Sequence, residues 1–142
     1  MPDWKESLDQ FFAEARETEE SRETTELARF IRDVAMPAFE QLREQLAKHG
    51  REMTVRETAS AVTIAVQHGG NEELSYRIHG RQFTHGILPY AEVRFKERKG
   101  LKIIRVESML RSGTPDYRIE DLTDKDVIQN FLDHYMRAVK PG

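Results

Sequence analysis

The sequence contains no cysteine. That absence excludes disulfides, thiolate metal sites and cysteine nucleophiles together, and it suits a reducing compartment. No apolar run approaches the ~20 residues that a membrane-spanning helix needs. The first fifteen residues carry Asp3, Lys5, Glu6, Asp9 and Glu14 where a secretory signal would have an apolar core. The expectation is a cytoplasmic chain with no membrane segment. Phosphate-binding glycine loops, a G-x-S-x-G elbow and an H-E-x-x-H helix are missing as well. So are internal repeats and low-complexity linkers, and 142 residues are the length of one domain. A chain of this size buries roughly 68–70% of its unfolded surface and needs no staple.

Charge is what the sequence has in surplus: 33% of its residues against ~25% in ordinary globular chains. Residues 1–50 hold 7 Lys/Arg and 12 Asp/Glu, a balance of −5. Residues 51–119 hold 12 and 8, or +4, and residues 120–142 hold 3 and 5, or −2. The net of −3 argues against general nucleic-acid binding.

Hydrophobic periodicity divides the chain into helix, sheet and helix. Asp3 and Glu6 read as a capping box. Trp4, Leu8, Phe11, Phe12 and Ala15 then recur at spacings of three and four. Residues 16–26, RETEESRETTE, have no large apolar side chain, so a helix there runs through solvent or breaks, with Thr24 and Thr25 as its weak point. The apolar pattern resumes from Leu27 to Leu46 and continues past Pro37, which predicts one kinked helix. Lys48, His49 and Gly50 end it.

From residue 52 the period is two. Met53 and Val55 stand in the opposite phase to Val62, Ile64 and Val66, which predicts a bulge or bend near residues 58–60. Alternation recurs over 74–78, 91–95 and 104–110, with a broken stretch between at Gly80, Gly86 and Pro89. Turn residues at 68–73, 97–100 and 112–115 separate the runs. The expectation is an antiparallel meander of five to six strands, the sixth at Tyr117 and Ile119. Thr123 and Asp126 then cap a helix with a stripe of Val127, Ile128, Phe131, Leu132, Tyr135, Met136 and Val139. This defines a two-layer α+β fold with the C-terminal helix packed on the sheet. The order is similar to folds in which a curved sheet grips a C-terminal helix and to small secretion-chaperone-like domains, a likeness of architecture that carries no function.

Four of the five histidines precede glycine: His49, His68, His79 and His85. A zinc site would need three or four ligands converging at ~2.0–2.1 Å. These spacings fit no such motif, so the His-Gly pairs read as ends and turns, and neither metal nor cofactor is expected. His79 lies in the polar phase of its strand, where solvent satisfies it. The hairpin at 94–105 carries six cations and one anion. With no aromatic on its cationic phase, it reads as a protected edge and not as a nucleic-acid platform.

Two functional expectations follow. The first is a non-catalytic protein-interaction module of adaptor, chaperone-like or regulatory type. It would be a homodimer, built through Trp4, Leu8, Phe11 and Phe12 on an arm formed by residues 1–26, with another protein as a further partner. The second is a ligand-binding or enzymatic domain with a cavity between sheet and C-terminal helix, its mouth lined by His79, His85, Tyr90 and Arg94.

Overall fold

One helical path opens the chain, running from Trp4 to Ala47 without a break. The structure, a computed structural model, describes residues 3–84, 86–97 and 102–139. Helix α1 spans Trp4–Phe30. Asp3 caps it through its side chain, which accepts from the Lys5 N–H at 3.3 Å, while the Glu6 N–H bonds the Asp3 carbonyl. The cap is where the sequence places it, although the Asp3 side chain bonds Lys5 and not Glu6. The polar stretch does not interrupt the helix. Thr18 and Thr25 bond back to the carbonyls of Glu14 and Ser21, each at 2.9 Å, so two of its hydroxyls are satisfied within the helix.

Residues Ile31–Ala35 widen into a π turn before α2, Met36–Ala47. The Met36 N–H reaches back five residues to the Ile31 carbonyl. Proline at 37 has no N–H to give and would crowd the carbonyl four residues before it. A wider turn at that point accommodates both defects. Gly50, at φ +76°, then ends the helix.

The sheet has five strands in sequence order, all antiparallel: β1 Glu52–Glu57, β2 Ala61–His68, β3 Asn71–Phe83, β4 Gly86–Lys96 and β5 Ile103–Met109. The phase change near residues 58–60 is a tight hairpin, closed by the Thr58 N–H on the Ala61 carbonyl at 2.8 Å. Met53 and Val55 therefore face Val66 and Ile64 across a strand pair. The stretch with Gly80, Gly86 and Pro89 is not broken either. Gly80 pairs with Pro89 inside the long β3–β4 hairpin. A Cβ on Gly80 would stand 2.6 Å from Ile87 and 2.8 Å from Leu27 of α1, so glycine there lets the helix approach. There is no sixth strand at Tyr117 and Ile119. Tyr117 is buried under the Arg111 guanidinium, 5.3 Å from its ring, and Ile119 begins a 3-10 turn.

Helix α3, Asp124–Ala138, carries the expected capping box of Thr123 and Asp126. The α2 helix lies against β1, the end of α1 against β4, and α3 against β3 and α2. Leu27, Phe30, Ile31, Phe39, Val127 and Phe131 meet Val62, Ile64, Leu74, Tyr76, Ile78 and Val93 in one core. All the described helices sit on one face of the sheet, and no described element covers the other.

Candidate functional site

Three places carry unusual chemistry, and the first is the uncovered face of the sheet. Strand alternation puts Tyr76, Ile78 and Val93 inward, so Arg77, His79, Tyr90, Glu92 and Arg94 face outward. The structure thus brings His79, Tyr90 and Arg94 together, but on the side of the sheet opposite α3. His85 lies outside the described residues. The described residues that line the groove beside α3 are other side chains.

The centre of this cluster is Glu92, 6% exposed although it is on the outer face. Arg94 and Arg105 reach its carboxylate at 2.9 and 3.0 Å. Burial opposes its ionisation, but the hydrogen bonds and charges of Arg105 and Arg94 outweigh that and hold its pKa below the usual range. Glu107 stands directly opposite Glu92, a repulsive pair that Arg105 bridges by bonding both. The His79 ring lies tilted against Tyr90, with ring centres 3.9 Å apart, and Arg81 covers the same tyrosine at 4.2 Å. His79 is therefore not satisfied by solvent. Its Nε2 is buried without a hydrogen bond, 3.5 Å from Glu92, and burial plus Arg77 push its pKa down against Glu92 and Glu107. The His79-Gly80 pair lies mid-strand and marks no turn. Among the described residues, no group of three or more His, Asp or Glu converges to hold a metal ion.

The second place is the contact between α3 and the sheet. The Tyr76 hydroxyl donates to Asn130 Oδ1 at 2.6 Å in the core. Asn130 Nδ2 donates to Ser108 Oγ and to the Met109 carbonyl, both at 3.1 Å. With that donor engaged, Ser108 Oγ is free to give its own proton to His134 Nε2, 2.7 Å away. Burial, followed by the Arg137 charge, lowers the His134 pKa and keeps the ring a neutral acceptor. Burial also drives the Tyr76 hydroxyl far up, so it stays a donor. A groove of about 560 Å³ runs beside this chain of bonds, lined by Ser108, Arg111, Ser112, Gln129, Asp133 and Arg137 among others. Arg111 is held bidentate by Asp126 at 2.9 and 3.1 Å. None of Ser108, Asn130 and His134 was singled out by sequence. The available signal is the pair Asn130 and His134, four apart on an otherwise apolar helix face.

The third place is α1. Every described side chain from Asp3 to Arg22 is exposed, and burial begins at Glu23. Trp4, Leu8, Phe11 and Phe12 are 70, 48, 62 and 58% exposed, the main cluster of large apolar side chains left in solvent. Glu23 is fixed at the root of the arm by Gln82 Nε2 at 2.9 Å. The arm leaves the body there, beside the Gln82 end of β3.

Fold and sites together define a two-layer α+β domain with one open sheet face and a projecting helical arm. Comparison with protein-family models, with curated proteins and with solved structures returned no match. Among the described residues, no helix is long and apolar enough to cross a membrane.

Proposed function

We propose that this is a non-catalytic protein-interaction module of the cytoplasm, of adaptor, chaperone-like or regulatory type, and that it self-associates as a homodimer through α1. The observation that carries the reading is the arm. About 28 Å of helix, at ~1.5 Å per residue, holds three aromatics and a leucine away from their own core. Soluble chains rarely leave such a patch uncovered unless something docks on it. A lipid surface is the poorer occupant. Residues 3–18 carry five acidic side chains against two basic ones, whereas helices that lie on membranes present cations.

A second copy of the chain is the occupant the surface fits. At ~150–250 Å² per aromatic side chain, scaled by exposures of 48 to 70%, the four residues offer on the order of 400–500 Å² per protomer. Arm-to-arm contact alone would therefore bury about 1,000 Å² in total, below the ~1,200 Å² of stable interfaces. The arm must reach further surface, or the dimer is weak. Replacing Phe11 and Phe12 together by serine should yield a monomer with unchanged helix content, read by sedimentation and circular dichroism. If that variant still dimerises, the arm is not the contact.

A second reading rests on the 2.7 Å contact of Ser108 and His134 beside a groove of ligand size. Among the described residues, no carboxylate hydrogen-bonds the His134 ring, which weakens the comparison with an activated serine. Labelling with a fluorophosphonate decides it: a covalent adduct mapped to Ser108 would establish a nucleophile, and an unmodified chain would dismiss one.

A further inference from the structure

We infer that the arm of one protomer docks across the open sheet face of its partner, each copy exchanging its arm with the other. This rests on the proposed self-association through α1 and names the surface that receives the arm. Among the described residues, the arm and the outer sheet face have no element packed over them, and they carry opposite charge. Between Asp3 and Thr18 the arm holds Asp3, Glu6, Asp9, Glu14 and Glu17 against Lys5 and Arg16, a balance of −3.

On the sheet, the two central rungs of the outer face read Arg56–Thr63–Arg77–Glu92–Glu107 and Thr54–Ala65–Ser75–Arg94–Arg105. They hold four cations against two anions, a balance of +2. Both anions already bond arginines of the same face, whereas Arg56 and Arg77 have no ion pair among the described residues. Two arms laid side by side would instead bring −3 against −3. Charge favours arm on sheet over arm on arm.

Size and shape agree. The apolar stretch from Trp4 to Ala15 is about 17 Å long at ~1.5 Å per residue, and five strands ~4.8 Å apart make a face about 19 Å wide. Thr54, Thr63, Ala65 and Ser75 keep the β1–β3 side of that face low, over a depression of about 370 Å³ that can take an aromatic ring. Beside it rises the wall of Arg77, His79 and Tyr90. The exchange closes under a two-fold axis, so both arms and both faces are covered and no filament is left to grow. The sheet face also supplies the area that arm-to-arm contact lacks.

Sedimentation equilibrium on three variants tests this. Arg56→Glu with Arg77→Glu should weaken the dimer about tenfold or more, because like charges then face each other. Adding Asp9→Lys and Glu14→Lys should restore association. These two flank the stripe, each three residues from an arm phenylalanine, Phe12 and Phe11 respectively. If the sheet variant dimerises as the unmodified chain does while Phe11→Ser with Phe12→Ser does not, the arms pair with each other and the docking is wrong. Weakening that the arm reversals do not restore would equally overturn it. An unmodified chain that is monomeric removes the self-association itself.

Discussion

Tyr76 and Asn130 join two elements through one buried hydrogen bond, and a residue-level prediction follows from it. Replacing Asn130 by alanine strips from a hydroxyl deep in the core the acceptor it has among the described residues. An unsatisfied buried donor costs ~1–3 kcal/mol, and a cavity adds to that, so urea unfolding should show a loss of at least about 1 kcal/mol. His134 gives a pH dependence of definite sign. Its pKa in the fold lies below the ordinary 6.5, so as pH falls through that value the unfolded chain takes up the proton first. Stability is therefore full above about 6.5 and declines as pH falls towards the folded value. His79, shifted in the same direction, adds to the slope. Glu73, Glu92 and Asp126 are lowered, so their contribution is lost only in the acid range, below the ordinary 4.5 and 3.8 of their types. Urea midpoints should fall between pH 7.5 and 5.5, and His134→Gln should flatten part of that fall. An unchanged slope in the variant would show that His134 is not held neutral. Little of this was legible beforehand. Ser108, Asn130 and His134 read as ordinary polar residues because their partners lie 21 to 54 positions away.

Among the elements, α3 was the most legible, and it still packs differently in detail. Its capping box and span follow from Thr123, Asp126 and the apolar stripe, all of which are local signals. The buried residues are Val127, Asn130, Phe131 and His134, whereas Tyr135 is half-buried and Met136 exposed. Tyr135 turns its hydroxyl to Glu73 at 2.8 Å, and burial followed by that carboxylate pushes its pKa up to about 12. Hydrophobicity alone could not show that two polar side chains would displace it from the centre of the face. Phe131→Ala should cost ~3–5 kcal/mol, since Phe131 is fully buried against Tyr76, ring to ring at 5.4 Å. A loss below about 1 kcal/mol in urea would place α3 outside the core. The strands were legible in number, in alternation and at the turn after His68, but not in the stretch with Gly80, Gly86 and Pro89. Glycine and proline at 80, 86 and 89 signalled a break locally, while pairing across the β3–β4 hairpin, which has no local signal, carries both strands through. Helix α1 shows the same limit: eleven residues without a large apolar side chain remain helical because the helix is anchored from Glu23 onward.

At the scale of the molecule, charge and apolar surface are distributed so that the parts left uncovered complement each other. The acidic arm bears the exposed aromatics, and the basic sheet face bears Arg56 and Arg77, which have no ion pair among the described residues. Removing residues 1–20 takes away no described buried side chain, so the shortened chain should fold with its urea midpoint unchanged apart from the loss of association. The measurement that tests the central claim most directly is sedimentation equilibrium of the full chain and of residues 21–142, side by side at ~100 μM, a concentration high enough to populate even a micromolar dimer. The full chain should sediment as a dimer that weakens with added salt, and the shortened chain as a folded monomer. A full chain that is monomeric at that concentration, or a shortened chain that still dimerises, would contradict the account.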